Sequence, residues 1–401
     1  MFASRFFCLA TASLLVSGTA AAWAQTEDPL VLSASYSLLT DSNIFRLPAS
    51  TLAKGGNLAS SEQINISSLG LHINKPYSLQ RLELNINLID SQYQHFNYLS
   101  FVAHNVDAAW RWSVTPKLHG NLTSSRQETL NSFADNNQSL AIRNERTNTN
   151  TRFDTLYELS GAWRVVGGVN TSSQNSVQPT QAEGNTSTVV SDAGLQYVWG
   201  SDSTLSYTYK NTSGKYTNRI LQPTALFDDS FNQRDNELKL RWVVSGKSTI
   251  DLSSTYLSRT HPHYAQRNYA GFNSNAGLNW VISGKSTLTF NWARVLASYQ
   301  DSATNFTRTD SLSLGSTWRL SPKTSLRLQY GIAFQDYHGS PTGISTNSRS
   351  DTTYDSSVSF EWLPYEHLTF STTLQNTRRT SNQAGLDYNS NMAKFAAQYS
   401  Y

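Results

Sequence analysis

The chain has 401 residues, a formal net charge of +3 and only 15% charged residues. So small a charge gives no argument for nucleic-acid binding, and a mean hydropathy of -0.44 excludes a bundle of membrane helices. The unusual feature is the aromatic content of 20 Tyr, 17 Phe and 10 Trp, which favours strands over helices.

The N-terminus has the pattern of a secretory signal peptide. Arg5 supplies a positive charge, the apolar run FFCLATASLLV follows, and Ala22 to Ala24 offer small residues around a cleavage site. We predict a signal peptide over 1–24 and a mature domain over 25–401, the alternative being a short buried helix. The only cysteine, Cys8, lies in the signal, so we expect no disulfide, no thiolate metal site and no cysteine nucleophile.

The mature chain consists of strands that reverse at short turns. In the first clear case, near Lys75, the segment LQRLELNINLI follows a turn. Its apolar residues, Leu82, Leu84, Ile86 and Leu88, alternate with Arg81, Glu83, Asn85 and Asn87. A period of two is typical of a strand with one apolar and one polar face. We expect the apolar set to face lipid and the polar set to face a lumen.

Tryptophan marks seven of about eight such turns. The phrase WVVSGKSTIDLS at Trp242 is repeated almost unchanged as WVISGKSTLTFN at Trp280. Because Trp and Tyr prefer the headgroup zone of a bilayer, we predict a row of aromatic residues at the membrane interface. Its predicted members are Trp112, Trp163, Trp199, Trp242, Trp280, Trp318, Trp362 and the terminal Tyr401.

Longer, variable loops lie midway between the short turns. We expect the longest over Arg126–Thr151, either folded into the lumen as a constriction or lying outside as a mobile loop. Eight short turns and nine long loops give about 18 strands. The predicted fold is therefore all-β, a transmembrane antiparallel up-and-down barrel with short periplasmic turns and long extracellular loops. A soluble β-sandwich has similar alternation, but it does not explain the loop asymmetry or the Trp positions.

Several segments resemble one family of outer-membrane barrels. LSASYSLLTDSNIFRLP near the mature start, HGNLTSSRQETLNSFAD, TRTDSLSLGSTWRLSPKTSLRLQYG and RRTSNQAGLDY are similar to the EpsL-type proteins encoded with exosortase and PEP-CTERM systems. The resemblance runs over nearly the whole mature chain. It implies an outer-membrane barrel that serves exopolysaccharide production at the export step. The family offers no catalytic residues to carry over.

Charged residues on the predicted inner face are the candidates for a channel lining. The cations are Arg81, Arg111, Arg164, Lys239, Arg241, Arg319 and Arg327, most of them close to a short turn. Acids also face inward, namely Glu83, Asp107, Asp154, Glu158, Asp192, Glu237, Asp251, Asp355 and Glu361. Either the cations form a basic periplasmic mouth that attracts anions, or they pair with the acids and hold the wall together. We favour pairing for any single residue.

The sequence gives little support for catalysis or metal binding. His261 and His263 form an HPH motif in a predicted outer loop, with no carboxylate within a few residues, so we expect a solvated loop. We find no catalytic or nucleotide motif, and expect no enzyme activity, no cofactor and no metal.

Function and location complete the sequence-based expectations. The leading expectation is an outer-membrane channel for exopolysaccharide export. The alternatives are a general diffusion porin for small solutes and a non-conducting component of an export complex. Expected partners are outer-membrane lipid, the polysaccharide or small solutes, and other export proteins, but no nucleic acid.

Overall fold

The computed structural model describes residues 29–49, 60–134, 142–178, 184–200, 202–301, 303–342 and 349–401. The predicted signal peptide at 1–24 lies outside the described residues. None of the helices in these ranges has the length and apolar composition needed to cross a membrane.

Eighteen strands occur in the described residues, each of 12 to 16 residues. They are β1 Leu30–Asp41, β2 Glu62–Tyr77, β3 Gln80–Tyr93, β4 Phe101–Thr115, β5 Leu118–Leu130, β6 Glu145–Glu158, β7 Trp163–Ser176, β8 Thr186–Trp199, β9 Ser203–Tyr216, β10 Ser230–Ser245, β11 Ser248–Thr260, β12 Tyr269–Ser283, β13 Ser286–Ser298, β14 Phe306–Ser321, β15 Thr324–His338, β16 Ser350–Tyr365, β17 Leu368–Ser381 and β18 Tyr388–Ser400. Within these same ranges, two single 3₁₀ turns, Asn97–Leu99 and Ala265–Arg267, lie between strands.

The sheet closes on itself. Every strand pairs antiparallel with the next along the chain, and β1 also pairs with β18, from Ser33 opposite Ser400 to Asp41 opposite Met392. Among the eighteen described strands no edge is left open, which is what a sheet in hydrocarbon requires. The predicted barrel architecture is confirmed.

Alternating side chains give the wall two different faces. In β8, Val189, Leu195 and Tyr197 are exposed, whereas Asp192 between them is partly buried. Leu82 and Leu88 of β3 are exposed in the same way, and register places Leu82 opposite the exposed Trp110 of β4. Because paired residues point to the same side, register extends this outward face around the barrel. The alternate side chains of each strand, which are rich in Ser, Thr, Asn and charged residues, face the lumen.

The two ends of the barrel differ as expected. The eight described connections at one end span two to four residues, and nine longer loops lie at the other. We number these loops in chain order: L1 is 42–61, L2 94–100, L3 131–144, L4 177–185, L5 217–229, L6 261–268, L7 299–305, L8 339–349 and L9 382–387.

Two predicted boundaries are wrong. L3 is not the longest loop, because β5 and β6 continue their pairing through Arg126 opposite Thr149 and Glu128 opposite Thr147. L1 is longer than L3.

Trp163 follows its turn instead of preceding it, and the glycines after it lie inside β7. One of them, Gly168, leaves room for the guanidinium of Arg152, since a Cβ would lie 2.8 Å from its Nη2 atom.

Candidate functional site

The seven predicted channel-lining cations all lie on the inner face of the barrel. Their neighbours in sequence, such as Leu82, Trp110, Trp242 and Trp318, are exposed on the outer face. The full inner set is Arg81, Arg111, Arg164, Lys239, Arg241, Arg319 and Arg327. At the short-turn end the lumen is open to water, since the side chains of Arg81 and Asp251 are 50% and 52% exposed.

Most of these cations have an acidic partner on the wall. Arg111 binds Glu83 through two parallel hydrogen bonds of 2.9 Å, and Arg81 reaches the same carboxylate at 3.1 Å. The other ion pairs are Arg164–Glu158 at 3.3 Å, Lys239–Glu237 at 3.8 Å, Arg241–Asp251 at 3.5 Å and Arg327–Glu361 at 3.6 Å. Arg319 also has a partner. The pairs neutralise much of the charge that a basic mouth would require.

Two inner cations deeper in the wall were missed from the sequence. Arg152 binds both oxygens of Asp192, at 2.7 and 3.0 Å, and Lys210 lies 2.9 Å from Glu237. Strand alternation would have placed both on the inner face. They continue the charged lining from the short-turn end toward the middle of the barrel.

The tryptophans lie on the outer face, close to the short turns. Trp163 packs against Tyr197, and Tyr197 stacks with Trp199, with centroids 5.0 and 6.1 Å apart. Trp242, Trp280, Trp318 and Trp362 are exposed, as is Tyr401. Trp112 differs, because it is partly covered by the ring of Phe153, stacked at 5.6 Å with an interplanar angle of 4°.

On the side of β1–β5, L1 folds into the outer half of the lumen. Ile44, Phe45 and Leu47 are buried against inner-face residues of the wall. Phe45 makes edge contacts with Phe96 of L2 and Phe133 of L3, at 4.6 and 5.0 Å between centroids. We call this cluster the apolar plug; its buried members are Leu39, Ile44, Phe45, Leu47, Ile64, Ile66, Tyr93, Leu99 and Phe133.

On the other side, L5, L6 and L7 are joined by one buried arginine. Arg267 is 0% exposed and donates hydrogen bonds to four backbone carbonyls. These belong to Ala225 (2.7 Å), Leu226 (3.1 Å), Asp301 (2.7 Å) and Thr304 (2.6 Å). Burial lowers the pKa of Arg267 to about 10, so the side chain is still a cation at neutral pH. We call L5–L7 with Arg267 the arginine plug.

Each plug is anchored by a buried carboxylate. Glu62 accepts from the backbone N–H groups of His95, at 3.0 Å, and Phe96, at 2.7 Å. Asp228 likewise accepts from the N–H of His263 at 2.8 Å and from its ring Nδ1 at 2.9 Å. Burial raises the pKa of Asp228, but the hydrogen bonds from His263 and neighbouring amides outweigh it, and the pKa lies below its ordinary value.

L2 and L6 are therefore built alike. In both, a histidine contacts the anchoring carboxylate, an aromatic residue follows, and a 3₁₀ turn ends on a fully buried side chain. That side chain is Leu99 in L2 and Arg267 in L6. The sequence signal was present, since HFNYLSF and HYAQRNY share the pattern, but the eight strands between them obscured it.

The HPH motif of L6 does not form a paired ligand site. The Nε2 atom of His261 lies 2.9 Å from Gln300, whereas His263 contacts Asp228. The expected solvated loop is not found, because His261 is buried and L5 brings Asp228 and Asp229 next to His263, with ligand atoms within 4.8 Å. Both Asp228 oxygens, however, already accept hydrogen bonds from L5 and L6, so the cluster fastens the loops together.

L3 is partly folded into the mouth. Phe133 belongs to the apolar plug, and Arg379 of β17 donates a hydrogen bond of 2.5 Å to the carbonyl of Ala134. In the described residues, L3 thus reaches across the mouth, as the constriction interpretation requires. Arg126 and Glu128 take no part, because they form an ion pair on the outer face of β5.

Comparison with known proteins yields structural neighbours only. No protein-family model matches the sequence, and no curated protein matches it. The fold is similar to the crystal structure of OpdK from Pseudomonas aeruginosa with vanillate, with a TM-score of 0.51 and 10% identity over 93% of this chain and 99% of that one. OccK2 (OpdF) from the same organism, in complex with glucuronate, gives a TM-score of 0.51 and 13% identity over 93% and 98%.

The fold is that of an outer-membrane porin. A third structure, OpdQ from the same organism, has a TM-score of 0.50 and 10% identity over 93% and 97% of the two chains. At such identities the likeness shows the fold alone. The porin fold, the closed wall and the exposed apolar exterior place the protein in the outer membrane.

Proposed function

We propose that the barrel is a passive channel for small, water-soluble solutes that carry negative charge. The observation that carries this proposal is the shape of the lumen. Its short-turn half is polar and water-exposed, and its outer half is narrowed from two sides by the apolar plug and the arginine plug. A lumen narrowed in this way suits small solutes better than bulky ones.

The preference for anions rests on Lys394. This residue lies on the inner face near the middle of β18, opposite Leu39 of β1 and Thr373 of β17. Within the described residues it has no ion pair. Asp41, one inward position further along β1, is already bound by Arg46 at 2.8 Å and by Ser390 at 2.6 Å. An unpaired ammonium beside an apolar plug can bind a carboxylate and contact an apolar ring at the same time.

The structural neighbours support this solute class. Two of them were crystallised with vanillate and glucuronate, both small carboxylates. Vanillate has an aromatic ring, which matches a site that combines Lys394 with the apolar plug. The barrel itself would carry out no chemistry and hold no cofactor.

Reversal potentials in planar bilayers under a salt gradient test the proposal. We expect anion selectivity, a shift toward cations in Lys394→Met, and the native value in Lys394→Arg. Added glucuronate or vanillate should block the native current more strongly than it blocks the Met variant. Equal selectivity and equal block in native protein and Lys394→Met would exclude the carboxylate site.

A second candidate function is export of exopolysaccharide. It is favoured by the sequence segments that resemble EpsL-type proteins, and it would bring other export proteins as partners. Deletion of the gene with quantification of secreted polymer distinguishes the two functions. Normal polymer output with reduced uptake of small carboxylates would support the solute channel, whereas lost polymer would support export.

A further inference from the structure

The outer wall carries a groove over β14–β18 and the adjoining ends of β1 and β2. It has a volume of about 1020 Å³. Its apolar part is formed by Leu314, Leu328, Tyr330, Val358 and Leu374. All five are exposed on the outward face, so the groove opens toward the membrane and not into the lumen. Pockets for drug-sized ligands measure roughly 300–1,000 Å³, so this groove has room for acyl chains.

The groove is polar at its long-loop end. This part of the lining includes Thr40, Gln63, His95, Asn376 and Asn391, together with Ser42, Ser61 and the buried Asp41 and Glu62. Along the outward face of β17 the order toward the long loops is Phe370, Thr372, Leu374, Asn376 and Arg378. The surface therefore changes from aromatic and aliphatic to amide and then to cationic along a single strand. An occupant must have apolar chains toward the membrane centre and a polar head at the outer surface.

Three side-chain amides lie at the level where the polar head of the occupant is expected. The side-chain amide of Asn376 donates to the Oδ1 atoms of Asn389 and Asn391 of β18, at 2.9 and 2.7 Å. These bonds fix the three side chains in place. Within the described residues, the side-chain N–H groups of Asn389 and Asn391 have no acceptor. They can therefore donate to oxygen atoms in the polar head of a bound molecule.

Arg378 supplies the charge. It is exposed one outward position above Asn376, between Tyr354 of β16 and Asn389 of β18. Two other arginines on the outward face are neutralised, Arg294 by Asp310 at 2.7 Å and Arg308 by Asp336 at 2.8 Å. In the described part of the chain Arg378 has no such partner. A guanidinium at the outer interface is suited to a phosphate, which it can bind bidentately.

From these observations we propose that the groove binds one molecule of lipid A, the phosphorylated, multiply acylated lipid of the outer leaflet. Its acyl chains would lie against Leu328, Val358 and Leu374, and a phosphate would bind Arg378. Orientation decides the lipid class, because the polar end of the groove is on the side of the long loops, and Arg378 lies beyond that end on the same strand, outside the groove lining. A second copy of the barrel would bring a convex apolar wall and no charge for Arg378.

Native mass spectrometry of the purified, delipidated barrel with added lipid A tests the proposal. We expect one lipid A to be retained by the native protein, and about tenfold weaker retention in Arg378→Ser, since a charge-assisted contact is lost. Val358→Trp should also release the lipid by filling the groove. Arg234→Ser is the matched control, because Arg234 is likewise exposed and unpaired among the described residues but lies on β10, away from the groove.

Further probes separate the alternatives. Phosphatidylglycerol tests for any anionic lipid and phosphatidylethanolamine for any acyl chain, and both should be lost at lower collision energy than lipid A. Heat-modifiable mobility in gels verifies that every variant is folded. Equal retention in Arg378→Ser and Arg234→Ser, equal retention of phosphatidylglycerol, or a dimer without lipid would each overturn the proposal.

Discussion

Leu99 and Arg267 are the fully buried last residues of two 3₁₀ turns that occupy the same place in L2 and L6. One packs among aromatic rings, and the other donates to four carbonyls. The same loop design thus presents an apolar side chain on one side of the mouth and a cation on the other. This difference adds to the chemical asymmetry of the outer lumen, to which L1 also contributes through Ile44, Phe45 and Leu47.

Arg267→Leu should loosen the arginine plug. The substitution leaves the carbonyls of Ala225, Leu226 and Asp301 without their arginine donor, at about 1–3 kcal/mol for each unsatisfied group that is buried. We expect L5 and L7 to become sensitive to protease and the channel current to become noisier. The variant Leu99→Met, at the equivalent place in L2, is the control and should change neither. If the Arg267→Leu barrel resists protease and its current is no noisier than that of the native protein, the arginine does not hold the loops together.

The anchor of L6 should depend on pH in both directions. The pKa of Asp228 is lowered, so its contribution is present above the ordinary carboxyl range and is lost as pH falls through the lowered value. The hydrogen bond to Asp228 raises the pKa of His263, so its contribution is present in acid and is lost as pH rises through the raised value. The anchor is therefore strongest between these two pKa values.

Hydrogen exchange of the His263 and Tyr264 amides measures this dependence. Protection, after correction for intrinsic exchange, should be greatest between the ordinary carboxyl and imidazole pKa values of 3.8 and 6.5, and should fall on either side of the window set by the two shifted groups. Asp228→Asn should abolish the dependence. Asp229→Asn should retain it, because Asp229 is exposed and lies 3.8 Å from His263, further than Asp228 at 2.9 Å. A flat profile in the native protein would contradict the anchor.

The charge pairs at the short-turn end can be separated by substitution. Asp251→Asn should leave Arg241 unneutralised and shift the reversal potential toward anions. Arg241→Ser should shift it toward cations by freeing Asp251. Both shifts should be small, because the pair is half exposed and well screened at physiological salt. Replacement of Arg319 by Ser provides an independent measurement on a neighbouring part of the wall. If neither Arg241→Ser nor Arg319→Ser changes selectivity, the pairs serve the wall alone.

Gly120→Ala should destabilise the barrel. A Cβ at Gly120 would lie 2.0 Å from the backbone carbonyl of Asp154 and 2.7 Å from the ring of Trp112. The stacked pair of Trp112 and Phe153 would have to move, at a cost of about 1–3 kcal/mol. We expect a lower temperature for loss of heat-modifiable mobility. Gly246→Ala is the control, since nothing lies within 4 Å of its Cβ position, and it should resemble the native protein.

Much of the wall could be predicted because alternation is a local property. Arg111 and Glu83 face inward for the same reason that Leu82 and Trp110 face outward, and cross-strand register then brings the pair together. The plugs were not predictable in this way, because Phe45 meets Phe133 and Arg379 meets Ala134 only through closure of the barrel. One signal was present, namely the apolar residues Ile44, Phe45 and Leu47 in a loop that should otherwise be polar.

The missed extension of β5 and β6 has a different cause. The segment TNTNTR carries no apolar residue on either face, so hydrophobic alternation could not mark it as strand. Backbone pairing continues there because hydroxyl and amide side chains suit the water-exposed rim of a barrel. Thr149 and Ser173, for example, share a hydrogen bond of 2.7 Å between β6 and β7, near the long-loop ends of those strands.

Single-channel recording of the purified protein in a planar bilayer is the most direct test of the central claim. The proposed solute channel predicts discrete, long-lived conductance steps with anion selectivity, reduced in a concentration-dependent manner by glucuronate. An inserted, correctly folded barrel that carries no current would contradict the claim and favour a structural role.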